Sequence, residues 1–182
     1  MRAIAISAGL LAAARRVTSP NADPRPRGFE PELIVIHGIS LPPGRYGGPW
    51  VDRLFTNSLP AEADPYFATI RELRVSSHVL IDRKGRITQY VPFHERAWHA
   101  GQSYWRGRAN CNDFSIGIEL EGCDTRPFTD MQYQTLHELT LALRAAYPLR
   151  GIAGHSDIAP GRKTDPGPHF DWLRYLCGVC EA

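Results

Sequence analysis

The sequence predicts an α/β (α+β) domain built on a single central mixed β-sheet flanked by helices. Two observations carry this. Apolar runs of strand length alternate with helical patterns along the chain, so strands and helices interleave. Each run is also bounded by Pro, Gly or a helix cap, which punctuates the chain at intervals suited to one sheet. At 182 residues, 43% hydrophobic and 22% charged, the chain is long enough for one well-buried core and short for two, so residues 1–182 are expected to form one domain.

The elements follow in order. Met1-Arg2 followed by AIAISAGLLAAA has the positive start, apolar centre and small-residue end of a secretory signal. The alternative is that Leu10–Arg16 forms a first amphipathic turn of the folded domain. The uncharged stretch Ala3–Ala14 falls well short of the ~20 residues that span a bilayer. After a Pro-rich lead-in, LIVIHGIS (Leu33–Ser40) is a continuous apolar, β-branched run, as expected of a buried strand. It contains a histidine near its end. LPPGRYGGPW must be loop, and Tyr66–Leu73 has the apolar spacing of a short helix. HVLID and ITQYV, joined by Arg83-Lys84-Gly85-Arg86, read as a hairpin.

FSIGIELEG (Phe114–Gly122) alternates Ile116, Ile118 and Leu120 with Ser115, Gly117, Glu119 and Glu121, which predicts a strand with one face buried. Thr129 and Gln132 form a capping box before a helix that runs to Tyr147, stopped by Pro148, with Leu136, Leu139 and Leu143 on its apolar stripe. GIAGH is a further strand and DWLRYL (Asp171–Leu176) a last helix.

Composition excludes some functions. A net charge of +2, with both signs spread along the chain, offers no basic stripe for a phosphate backbone, so no nucleic-acid partner is expected. The four cysteines, Cys111, Cys123, Cys177 and Cys180, are too sparse for a disulfide scaffold. Cys177-Gly-Val-Cys180 has no second CxxC to complete a four-cysteine zinc site, and unligated thiols are expected there.

Seven histidines are present. His37 and His155 each follow a strand-like segment, where a side chain leaves the sheet and meets a loop. Asp165 lies in GHSDIAPGRKTDPGP, where flanking Pro and Gly restrict its backbone, and a carboxylate can ligate zinc or simply form a turn. Glu119 can serve as a solvated carboxylate or, beside an activated water, as a general base. Lys163 is either a surface charge or a partner for a developing oxyanion. Spacing alone does not choose between these readings.

The segments LLAAARRVTSPN, IVIHGISLPPG, GGPW, LRVSSH, QYVPFHERAWHAG, CNDFSIGIELEG and GHSDIAPGRKTDPGPHFDW span nearly the whole chain in order. In them the sequence resembles the zinc-dependent N-acetylmuramoyl-L-alanine amidases of the 1,6-anhydro-muropeptide type, whose fold is shared with peptidoglycan recognition proteins. The resemblance implies one catalytic zinc ion on His37, His155 and Asp165, with Glu119 and Lys163 completing the catalytic set. It implies substrate contacts near Arg74, Trp98 and Ala159. Two departures stand out. Gly38 replaces an Asn common after the first zinc histidine, and Asn110 stands where relatives often carry Arg, with Arg108 as a possible substitute.

The implied reaction is hydrolysis of the amide between the lactyl group of 1,6-anhydro-N-acetylmuramic acid and L-alanine, in muropeptide recycling. Its substrate partner would be an anhydro-muropeptide, with no membrane partner and the chain acting as a monomer. Because LLAAARRVTSPN matches a segment of the mature domain in cytoplasmic members, the resemblance favours the cytoplasm over export. An exported amidase acting on intact peptidoglycan and a non-catalytic peptidoglycan-binding module are the rival expectations.

Overall fold

The computed structural model describes residues 4–180, with the backbone alone for Cys180. Its strands are β1 (Ile6–Ser7), β2 (Leu10–Leu11), β3 (Arg15–Arg16), β4 (Ala22–Pro24), β5 (Leu33–Ile39), β6 (Val79–Ile81), β7 (Ile87–Gln89), β8 (Glu95–Ala97), β9 (Tyr104–Trp105), β10 (Arg108–Ala109), β11 (Ser115–Glu121) and β12 (Gly151–Gly154). The helices are α1 (Trp50–Phe55), α2 (Pro65–Ile70), α3 (Asp130–Ala146), α4 (His155–Ile158) and α5 (Trp172–Cys180).

Six strands form the central mixed sheet in the order β12-β5-β11-β6-β7-β3. The expected hairpin is present as antiparallel β6 and β7. Strands β12, β5, β11 and β6 run parallel to one another. Register follows from this: Glu119 lies beside His37, and Gly154 beside Ile36, so Glu119, His37 and the residue after β12 reach the same carboxyl edge. Ligands in α/β sheets collect at that edge of the strands.

On one face Ile34, Ile36, Ile116, Ile118 and Leu120 pack under α3 and α5 with Leu136, Leu139 and Leu143. The capping box forms as the sequence predicts: Thr129 Oγ1 accepts from the Gln132 N–H, and Gln132 Oε1 from the Thr129 N–H. Leu136 is fully buried in this layer. Leu136→Ala is therefore expected to lower stability by about 2–5 kcal/mol, read as a reduced urea midpoint with activity retained below the transition.

Three expectations are corrected. Leu10–Arg16 is no helical turn: β2 pairs with β1, and β3 joins the sheet beside β7, with Leu11 buried in the core. The segment's small residues lack the bulk for a helical stripe, while the free edge of β7 supplies backbone partners. The helix predicted over Tyr66–Leu73 runs Pro65–Ile70, started by Asp64, whose carboxylate accepts from the Tyr66 N–H. The sequence reading also passed over α1, which is hidden by the Gly-Pro run before it. Finally, β11 is buried on both faces rather than one. Its polar face is covered by histidines and loops, not water, because β11 is an interior strand of a parallel set.

Candidate active site: a His-His-Asp triad in a cleft

His37 leaves β5 on the face opposite α3, and β12 delivers His155 as the first residue of α4 beside it. The loop after α4 is shaped to return Asp165 to the same point. The Asp157 carboxylate accepts from the Gly154 N–H at 2.7 Å, the Ser156 N–H donates to the Asp165 carbonyl at 2.9 Å, and the N–H groups of Arg162 and Lys163 both donate to the Ala159 carbonyl. Thr164 Oγ1 donates to Asp124 Oδ2 at 2.6 Å, fixing the loop to the opposite rim. Asp157 thus closes the turn that carries His155.

His37 Nδ1 lies 3.0 Å from His155 Nδ1 and 3.1 Å from Asp165 Oδ2, and His155 Nδ1 lies 3.0 Å from the same Oδ2. His37, His155 and Asp165 form the one such His/Asp group among the described residues. Two imidazole nitrogens and a carboxylate oxygen in mutual contact present lone pairs to each other, an arrangement that a shared cation relieves. Burial lowers His37 to about 4, with the contact to Asp165 opposing, so the ring is in the neutral form that ligates metals. Burial alone would raise Asp165, but its contacts with His155 and His37 hold it well below the usual carboxylate range. Two nitrogens, one oxygen and room for a fourth ligand suit zinc.

Glu119 projects from β11 next to His37. It is 8% exposed, and its Oε2 has no hydrogen-bond partner. Burial first, and then the Asp165 charge, raise its carboxyl well above the ordinary range, against the pull of Lys163. A carboxylate placed this way is a strong base with a free oxygen. His37, His155, Asp165, Glu119 and exposed Lys163 line a cleft of about 430 Å³, whose far wall includes Tyr66, Ile70 and Leu73. A larger hollow of about 660 Å³ between the N-terminal hairpin and α3 gathers none of these groups.

None of the remaining expected residues lines the cleft. Arg74 is exposed and donates to the Arg71 carbonyl, while Leu73 and Val75 on either side of it do line the cleft. Trp98 is half-buried with an unpartnered indole N–H. Ala159 is buried as the cap of α4. Arg108 donates to Glu32 at 3.0 Å and stacks 3.9 Å over the Phe114 ring. Asn110 is exposed at φ 58°, a left-handed conformation that Asn tolerates better than Arg. At Gly38 a Cβ would meet nothing closer than the Pro166 carbonyl oxygen at 3.5 Å, so the position itself admits a side chain.

Sequence reasoning missed His99. Its ring reaches His37 Nε2 at 2.9 Å, in a cluster with His78 whose centroids are 5.0 Å (His37–His99) and 5.7 Å (His78–His99) apart. The WHAG stretch drew attention only to its tryptophan, and nothing in linear spacing links positions 78, 99 and 37. Burial drives both His78 and His99 well below the ordinary imidazole range, so both are neutral. The described cysteines Cys111, Cys123 and Cys177 are free thiols.

Parallel strands and the loop after α4 bring two histidines, an aspartate and an unpaired glutamate to one cleft, a set suited to amide hydrolysis that could hold a metal ion, and the chain belongs to the N-acetylmuramoyl-L-alanine amidase family, which matches residues 27–168. It is an amidase and hydrolase of that family. Among particular proteins it is similar to the 1,6-anhydro-N-acetylmuramyl-L-alanine amidase AmpD of Escherichia coli K12, 59% identical over 92% of each chain. AmpD of Citrobacter freundii is likewise 59% identical, over 96% of this chain and 94% of its own. A crystal structure of a selenomethionine AmpD derivative superposes with a TM-score of 0.95 at 57% identity, covering 97% of this chain and 99% of that one.

Proposed function

We propose that this protein hydrolyses the amide joining the lactyl group of 1,6-anhydro-N-acetylmuramic acid to L-alanine of the stem peptide, using one zinc ion, in muropeptide recycling. The observation that carries this is the triangle of His37 Nδ1, His155 Nδ1 and Asp165 Oδ2, with edges of 3.0–3.1 Å, beside the unpaired Glu119 Oε2. The names of the similar proteins support the substrate.

Zinc held by His37, His155 and Asp165 would supply Lewis acidity toward a water and the scissile carbonyl. Glu119 receives the proton of the attacking water on its free Oε2, then passes it to the alanine nitrogen as the C–N bond breaks. Lys163 offers its ammonium where the carbonyl oxygen becomes negative. Exposed Tyr66 and Leu73 give the far wall of the cleft an apolar surface for the substrate. Arg74, Trp98 and Ala159 are carried as substrate contacts from the family resemblance, with Asn110 at the position where relatives carry Arg and Arg108 as its substitute, and Arg74, flanked by cleft residues, has the most direct support.

We place the reaction in the cytoplasm. Ile6–Arg16, which overlaps the segment whose family match favours the cytoplasm, is integrated into the fold through β1, β2 and β3. The test incubates purified protein with anhydro-muropeptide and with intact peptidoglycan sacculi, with and without a chelator. Peptide release from the anhydro-muropeptide alone, lost on chelation and restored by zinc, is expected. Release that survives complete metal removal would sink the zinc mechanism, and preferential release from sacculi would sink the recycling role.

A further inference from the structure

We propose that His99 is a positioning residue for the metal site, fixing His37 with its Nε2 protonated and its Nδ1 bare toward the metal, while the neighbouring Ala100 carbonyl does the same for His155. The inference rests on the zinc site proposed above and extends it to the groups that orient its ligands.

The direction of each hydrogen bond follows from the chain's far end. Ser115 Oγ lies 2.5 Å from the Cys111 carbonyl oxygen. Two oxygens that close need a proton between them, and a carbonyl has none to give, so the Ser115 hydroxyl donates. Its single proton is then committed, and at 3.1 Å it accepts from His99 Nε2–H. A neutral imidazole carries one N–H, which leaves His99 Nδ1 as an acceptor. His37 Nε2 is 2.9 Å from that atom and must be its donor. The bare nitrogen of His37 is therefore Nδ1, the atom that faces His155 and Asp165. His155 Nε2 lies 3.2 Å from the Ala100 carbonyl, which can only accept, so Nε2 carries the proton there too.

The sequence makes room for this arrangement. A Cβ at Gly117 would lie 2.5 Å from Cγ of His99, so β11 omits a side chain where the ring sits. The backbone carrying both supports is itself held, because the N–H groups of His99 and Ala100 donate to Asn112 Oδ1 at 3.1 and 2.8 Å. Arg162 also donates to the Ala100 carbonyl, which ties the same segment to the loop that bears Asp165. Residues 99 and 100 thus grip both metal histidines from behind. Such outer partners set ligand tautomer and orientation, and losing one weakens metal binding by about 10–100-fold.

The test uses the full chain loaded with zinc. Long-range ¹⁵N–¹H spectra of the parent are expected to place the His99 proton on Nε2, and a proton on Nδ1 would overturn the proposal. Zinc affinity is measured by competition with a chromophoric chelator, with circular dichroism as the check on folding. His99→Phe, which fills the space but accepts nothing, should bind zinc about 10–100-fold more weakly. His99→Asn, whose Oδ1 can stand at the Nδ1 position, should recover most of that loss. A folded His99→Phe that binds as tightly as the parent overturns the proposal, and so does His99→Asn binding as weakly as His99→Phe. Should His99→Phe fail to fold, Ser115→Ala decides: it leaves the His99 N–H without its acceptor and is expected to weaken zinc binding, and unchanged affinity would refute the relay. A parent that binds no zinc would fail the metal site as well, which separates the two readings.

Discussion

Glu119→Ala is expected to retain zinc while turnover on anhydro-muropeptide falls by about 10²–10⁴-fold, the usual contribution of a positioned general acid–base group. The separation follows from geometry. Glu119 contributes no atom to the triangle of His37, His155 and Asp165, yet its carboxylate shares their cleft with one oxygen unpartnered. Removing it also takes away a carboxyl that burial holds in an unfavourable state, so the folded chain should survive the change. Zinc content by atomic absorption and turnover by peptide release, measured on one preparation, check this directly. Near-normal rates would take Glu119 out of the mechanism.

Asp165→Ala should do the opposite: zinc binding collapses, and activity falls to background with it. Asp165 is the anionic member of the triad, and without it two imidazole nitrogens 3.0 Å apart must hold a dication alone. A useful contrast is Asp157→Ala in the same loop. Its carboxylate caps the turn at Gly154 and touches no ligand atom, so zinc binding should weaken without being abolished. Calorimetric titration of the metal-free proteins reads both. An Asp165→Ala chain that binds zinc as the parent does would show that the ligand set is misassigned.

Much of this site was legible in the sequence because strand ends and Pro-Gly loops leave local marks. LIVIHGIS announced a buried strand ending near a histidine, and GHSDIAPGRKTDPGP a rigid loop rich in ligand types. The polar alternation of β11 was misread for an instructive reason. Ser115, Gly117, Glu119 and Glu121 look like a solvent face, but that face meets His99, His37 and the loop whose Gly47 N–H donates to Glu121. Periodicity reports that a face is polar, not what covers it. The role of His99 was hidden for a related cause. Its partners His37 and Ser115 are distant along the chain on neighbouring strands, and only the parallel register of β5 and β11 brings them together.

That register has a consequence for how the protein comes into being. Strand β5 hydrogen-bonds to β11 on one side and β12 on the other, both of which follow it by many tens of residues. Contacts between such remote segments form late and slowly, since the intervening chain must first be closed into loops. Because the triad spans positions 37 to 165, no nascent chain ending short of Asp165 contains the full set. The proposed zinc site is thus completed only at the last stage of sheet assembly, and early fragments emerging from the ribosome hold only part of it.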